Sequence, residues 1–132
     1  MTAGCSVQGN TLDFGQNLGA DLLATATAAG QRPQTTINVL CTNGVAYQVG
    51  ISDGINASAG QRRLKNGSNY INYELYKSLT GTDRFGDTIP SQRVSGTSTG
   101  TTVGVPVFGQ ITAGANVPAG QYLDTATITV YY

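Results

Sequence analysis

The sequence is short of the side chains on which most catalysis and metal binding depend. It has no histidine and no tryptophan, two cysteines, and charged residues make up only 11% of its 132 positions. Without histidine there is no Ser-His or Cys-His pair to activate a nucleophile. Two cysteines are also too few for a structural zinc site, and histidine, the usual supplementary ligand, is absent. The common hydrolytic triads and zinc modules are therefore excluded.

Charge is scarce and balanced, with seven acidic and seven basic residues. A net charge of zero gives no long-range field to attract nucleic acid or an anionic membrane, so neither is an expected partner. The one basic cluster, Arg62, Arg63 and Lys65, precedes Asn66-Gly67, a pattern typical of a solvated hairpin end. No apolar run is long enough to span a bilayer, so direct membrane insertion is not expected.

Paired carboxylates are the remaining candidates for catalysis. Asp83 and Asp87 lie in one polar loop, and Asp53 has its own neighbours, so a glycosidase-like pair is conceivable. Solvated loop charge is the expected state of all three. The glycine-rich stretch from Gly96 to Gly104 lacks the lysine and helix start of a phosphate loop. We therefore expect no enzyme activity and no cofactor.

Glycine, by contrast, is abundant at 18 residues, and Ser, Thr and Asn separate short apolar runs. This composition favours strands and turns over helices and predicts an all-β chain. The length is that of a single domain, residues 1–132, with one core. Residues 18–30 alone have helical composition, and their threonines and glycines predict a loop with at most one helical turn.

Alternating apolar residues outline the strands. Asn43-Gly44 predicts a tight hairpin turn between strands around Val39 and Val49, and Asn66-Gly67 predicts a second hairpin. A first strand is interrupted near Gly9. A later strand contains Pro106, which favours a place at the edge of a sheet because proline cannot donate to a ladder.

The last strand has one apolar face and one hydroxyl-rich face. The apolar face is formed by Ala126, Ile128, Val130 and Tyr132. Counting gives about six strands, one short of the seven of a minimal immunoglobulin-type sandwich, and the missing one would follow Tyr132. The sequence therefore predicts an incomplete β-sandwich whose open edge is a template for a strand from another chain.

Cys5 and Cys41 have two interpretations. A disulfide would remove roughly 4 kcal/mol of unfolded-chain entropy and would indicate an oxidising compartment. Two buried free thiols in a reducing compartment are the alternative.

Several motifs in order resemble one family. They are Cys5-x-Val7, Leu12-Asp-Phe-Gly15, Ile37-Asn-Val-Leu-Cys-Thr42, Tyr47-Gln-Val-Gly-Ile51, Asn72-Tyr-Glu-Leu-Tyr76, Val105-Pro-Val-Phe-Gly109 and Pro118-Ala-Gly-Gln-Tyr-Leu-Asp-Thr125. Together they cover nearly the whole chain and resemble the spore coat protein U family. That family includes the pilin subunits of archaic chaperone/usher pili, such as the Csu pilus of biofilms.

The resemblance implies an immunoglobulin-like domain without its final strand, completed by a donor strand from a periplasmic pilus chaperone and then from a neighbouring pilus subunit. It implies a disulfide between Cys5 and Cys41, joining the first two strands. It also implies an acceptor groove formed by Val7, Leu12, Phe14, Ala126, Ile128, Val130 and Tyr132. For Leu12 and Phe14 an ordinary closed core is an equal alternative.

The expected function is a structural subunit of a secreted pilus that serves adhesion and biofilm formation. It would pass through the periplasm and an outer-membrane usher to the cell surface. Only Met1 to Gly4 precede Cys5, so the N-terminal donor segment is expected to have been removed from a shaft subunit. One alternative is a tip adhesin domain that binds surfaces through its loops, where Leu79, Phe85 and Ile89 form a small apolar patch. A spore or cell-coat structural protein is the other.

Overall fold

The computed structural model describes residues 4–9, 12, 32–111 and 120–132. These residues form eight β-strands and one 3-10 turn at Pro90–Gln92. The strands are β1 (Cys5–Gln8), β2 (Gln34–Cys41), β3 (Ala46–Ile51), β4 (Arg63–Asn66), β5 (Asn69–Tyr76), β6 (Val94–Thr97), β7 (Val103–Ile111) and β8 (Ile128–Tyr131). The all-β prediction is confirmed. Phe14 and the loop predicted over residues 18–30 lie outside the described residues.

The strands form two antiparallel sheets. One has five strands in the order β1-β2-β7-β5-β4, and the other has three in the order β6-β3-β8. Alternate side chains of each strand point to the same side of its sheet. The inward ones build a single apolar core, which includes Ile37, Val39, Val49, Ile51, Ile71, Phe85, Val105 and Ile111. The architecture is the immunoglobulin-like sandwich that the sequence predicts.

Eight strands is more than the predicted number of about six. Part of the difference comes from β6, which pairs with β3 from Val94 to Thr97 within a Ser/Thr/Gly-rich stretch. Such a stretch has almost no apolar period to signal a strand, because its pairing comes from backbone hydrogen bonds. β1 ends at Gln8, just before the interruption predicted near Gly9, and Leu12 lies outside β1, half-buried against the core.

Pro106 does not place its strand at the edge of a sheet, as the sequence had predicted. β7 lies between β2 and β5. Proline cannot donate to a strand ladder, and this restriction is still met at Pro106, because β5 pairs only with the half of β7 from Phe108 to Ile111. At Pro106 the strand has a ladder partner on the β2 side alone, where it lies opposite Thr36. The missing N–H is therefore tolerated within a central strand.

Arg62 is not part of a solvated cluster, contrary to the prediction from sequence. Its side chain is 0% exposed and pairs with Glu74 at 2.6 Å. The guanidinium also donates to the backbone oxygens of Ile51, Ser52 and Phe85. Burial lowers the pKa of Arg62 below its ordinary value, and the neighbouring Glu74 opposes that effect. A buried cation is tolerated here because its donors are satisfied.

A disulfide joins Cys5 to Cys41. The two residues face each other in the register of β1 and β2. The bond ties the outermost strand of the larger sheet to its only neighbour in the described part of the chain. The alternative of two free thiols is excluded.

Reducing the disulfide should destabilise the domain substantially. The loop-closure model gives roughly 4 kcal/mol, a large part of the 5–15 kcal/mol typical of a domain. We expect urea unfolding in a thiol reductant to show a clearly lower midpoint, and the double variant Cys5→Ser/Cys41→Ser to show the same midpoint with or without reductant. An unchanged midpoint on reduction would contradict this role.

Candidate functional site

Two strands at the borders of the two sheets lie next to each other. Among the residues that the structure describes, β1 and β8 each have a ladder partner on one side only. β1 belongs to the larger sheet and β8 to the smaller one. We call the space between them the edge groove. It narrows where the backbone of Gly9 faces Ile128, since a Cβ at Gly9 would lie 2.6 Å from the Cδ1 of Ile128.

The inward side chains of β1 are poorly covered. Val7 lies opposite Val39 in the β1–β2 register, so both side chains are on the same, inward side of the sheet. Val39 is only 1% exposed, whereas Val7 is 37% exposed. An apolar side chain on the core side of a sandwich is normally buried. Its exposure indicates that the core is uncovered along β1.

The same contrast occurs on β8. Val130 lies opposite Val49, and Ile128 lies opposite Ile51. Both partners on β3 are fully buried, but Val130 and Ile128 are only half-buried. The inward faces of both border strands therefore leave apolar surface open in the edge groove. A strand inserted between them would cover this surface and pair with free backbone edges.

The remaining residues predicted for the groove differ from one another in burial and position. Ala126 and Leu12 are half-buried and pack against the core. Tyr132 follows the last residue of β8 and is 64% exposed. Phe14 lies outside the described residues. The structure therefore brings Val7, Ile128 and Val130 to the groove most directly.

The outward side of β8 carries a polar contact that the sequence did not reveal. The guanidinium of Arg93 lies 4.0 Å from the centre of the Tyr131 ring. The Tyr131 hydroxyl donates to Oδ1 of Asp87 at 2.7 Å, and this hydrogen bond raises the pKa of Tyr131. The alternation of the last strand predicts only that Tyr131 points outward. Its partners are Asp87, in a loop, and Arg93, just before β6, and no local pattern links either of them to Tyr131.

The carboxylates considered as catalytic candidates have separate partners. Asp53 pairs with Arg84 at 2.7 Å, and Asp83 accepts a hydrogen bond from Ser78 at 2.7 Å. Asp87 contacts Arg93 and Tyr131. Within the described part of the chain, no three His, Cys, Asp or Glu side chains are close enough together to hold a metal ion. These contacts are the ion pairs of Asp53 and Asp87 and the hydrogen bond of Asp83, all of which stabilise loops.

The apolar loop patch predicted from Leu79, Phe85 and Ile89 is only partly present. Leu79 and Ile89 are exposed, but Phe85 is fully buried in the core. The backbone N–H of Phe85 donates to the oxygen of Leu75 at 2.9 Å, which extends the strand pairing beside β5. This pairing holds Phe85 against the sheet, with its side chain in the core. Two exposed apolar side chains therefore remain in this region instead of three.

An immunoglobulin-like sandwich with an uncovered edge groove defines the class of this protein. The family model of the Spore Coat Protein U domain matches residues 1–129. The chain belongs to that family. In the described residues, no helix has the length and apolar character needed to cross a membrane.

Proteins similar to this chain include a curated protein and a solved structure. Protein U of Myxococcus xanthus is 29% identical over 150 residues, which cover 98% of this chain and 75% of that protein. The second is a chain in the crystal structure of a chaperone–tip adhesion subunit pre-assembly complex from the archaic chaperone-usher Csu pili of Acinetobacter baumannii. It superposes with a TM-score of 0.66 at 22% identity. The match covers 99% of this chain but 40% of the other, and at this identity it shows the shared fold.

Matched valine substitutions should reveal the uncovered groove in the isolated protein. Val49→Ala removes two methyl groups from a fully enclosed site and should lower the free energy of unfolding by about 2 kcal/mol or more. Val130→Ala removes the same groups from a half-open site and should cost about half as much. Urea unfolding of the two variants measures both values. Equal costs would mean that Val130 is already enclosed.

Proposed function

We propose that the chain is a structural subunit of a secreted archaic chaperone/usher pilus, assembled by donor-strand complementation in the edge groove. The observation that carries this proposal is the exposure of inward-facing Val7, Ile128 and Val130 beside two border strands. Addition of an extended strand to a sheet edge is a recognised binding mode in which backbone hydrogen bonds supply affinity and alternate side chains supply specificity. The proposed role is structural, without catalysis or a cofactor.

The energetics of such an insertion are large for a domain of this size. A donor strand that buries four or five apolar side chains would contribute roughly 6 to 15 kcal/mol. This is comparable with the whole stability of a typical domain. The subunit would accordingly need a strand at every stage, first from a chaperone and then from the next subunit in the fibre.

Family membership and the similarity to a chaperone-bound pilus subunit support the proposed partners. They are a periplasmic pilus chaperone, an outer-membrane usher and neighbouring pilus subunits. The disulfide supports passage through an oxidising compartment, as the periplasm is. The proposed final location is a cell-surface pilus that serves adhesion and biofilm formation.

A tip domain that binds surfaces through its loops is the second candidate. Exposed Leu79 and Ile89 favour it, because apolar side chains in a loop can contact a hydrophobic surface. A spore or cell-coat protein is a third candidate, supported by the similarity to Protein U.

The double variant Leu79→Ser/Ile89→Ser separates the first two candidates: a tip domain would lose surface binding while chaperone capture stays unchanged.

Placing a charge in the groove should abolish chaperone capture. Ile128→Asp or Val130→Asp would bury an unpaired carboxylate under the inserted strand, at a cost of several kcal/mol. Thr127→Asp is the matched control, since Thr127 is exposed just before β8. Periplasmic co-expression with a tagged candidate chaperone, followed by measurement of the co-purified amount, tests the three variants.

The expected result is a one-to-one complex for the unmodified chain and for Thr127→Asp, with little or none for the two groove variants. Near-normal capture of Val130→Asp would contradict the groove assignment. A chain that is stable alone and ignores the chaperone would favour binding through the loops.

A further inference from the structure

The chain reaches β8 by crossing from one sheet to the other. Leu123 first pairs with Lys65 of β4, at the border of the larger sheet, through backbone hydrogen bonds of 2.7 and 2.9 Å. A few residues later the oxygen of Thr127 accepts from the N–H of Ser52, which follows β3 in the smaller sheet, at 2.8 Å. The position of β8 as a wall of the edge groove therefore depends on this crossing segment, residues 123–127.

Asp124 lies within the crossing segment and contacts β5 of the larger sheet and the turn between β3 and β4. Tyr73, on β5 of the larger sheet, donates its hydroxyl to Oδ2 at 2.6 Å. Asn56, in the turn after β3, donates its backbone N–H and its side-chain amide to Oδ1 at 3.2 and 2.9 Å. One carboxylate thus accepts three hydrogen bonds, and bonds to a charged acceptor are about twice as strong as neutral ones.

The surroundings of the Asp124 carboxylate are shaped to receive it. Gly54 has a φ of 90°, a conformation that favours glycine, and a Cβ at this position would collide with Oδ2 of Asp124. Burial raises the pKa of Tyr73 well above its ordinary value, and the hydrogen bond to Asp124 adds to this increase. The hydroxyl therefore remains a donor throughout the physiological pH range.

We infer that Asp124 is a positioning residue, which holds β8 in place as a ready-made wall of the edge groove before any donor strand arrives. This inference rests on the proposed function and adds a specific residue to it. If a binding-competent conformation is only partly populated, the apparent affinity falls in proportion to that fraction. By fixing the entry to β8 against β5 and the turn at Asn56, Asp124 keeps that fraction high.

The test compares Asp124→Ala and Tyr73→Phe with the control Asp83→Ala. Tyr73→Phe removes only the hydroxyl that donates to Asp124, so it keeps the test valid if Asp124→Ala fails to fold. Asp83 accepts a hydrogen bond in an exposed loop remote in sequence from β8. The probe is a synthetic peptide of about ten residues that alternates Val and Thr, as a strand-adding ligand would. Its association rate is measured together with amide hydrogen exchange of β8 and β7.

Loss of the Asp124 contacts should speed exchange of the β8 amides about tenfold or more, with β7 exchange much less affected. Peptide association should slow in proportion to the fraction of molecules in which β8 has left its position. The control should match the unmodified protein in both measurements. Unchanged rates in both Asp124→Ala and Tyr73→Phe would overturn the inference. Equal acceleration in β7 and β8 would also overturn it, because the role would then be general stability.

Failure of the proposed function gives a different result. If the unmodified protein does not bind the peptide or a chaperone, the groove is not an acceptor and the proposed function is wrong. Hydrogen exchange still decides whether Asp124 anchors β8, since that measurement needs no ligand.

Discussion

The fold depends on covering an apolar core from both sides, and this core is not fully covered along the edge groove between β1 and β8. Two sheets enclose the core, but the inward side chains at the borders formed by β1 and β8 remain partly open. In a sandwich of this size the free energy of burial barely exceeds the entropy lost on folding, so an open line is a substantial deficit. Covering that line would therefore add to the stability of the domain.

The polar contacts lie outside the edge groove, whereas the side chains that face the groove are apolar. Arg62, Glu74 and Asp124 form their hydrogen bonds around the end of β3 and the middle of β5. The groove itself presents Val7, Ile128 and Val130. Among the described residues, the charged contacts made by β8 itself are those of Tyr131 with Arg93 and Asp87, on its outward side. The polar contact of Asp124 lies beside the entry to β8, and the side chains that face the groove are apolar.

Much of this arrangement was predictable from residues that repeat with period two. The apolar phase of Ile128 and Val130 and the tight turn at Gly44 are local signals, and the structure contains both features. The buried state of Arg62 was not predictable, because its acceptors come from segments 10 to 23 residues away. Asp124 was visible only as a lone charge. Its role follows from contacts with Asn56 and Tyr73, which adjacent sequence cannot specify.

The low content of charged residues fits the proposed assembly by strand addition, because it leaves the edge strand β8 without protective charges. Soluble proteins usually protect a free strand edge with lysine or proline. Here β8 contains neither, and Arg93 lies across its outward face at Tyr131, away from the groove. An edge without such protection would pair with any suitable strand, including that of another copy. Occupation of the groove by another strand would prevent that pairing, and the disulfide keeps β1 attached to β2 in the meantime.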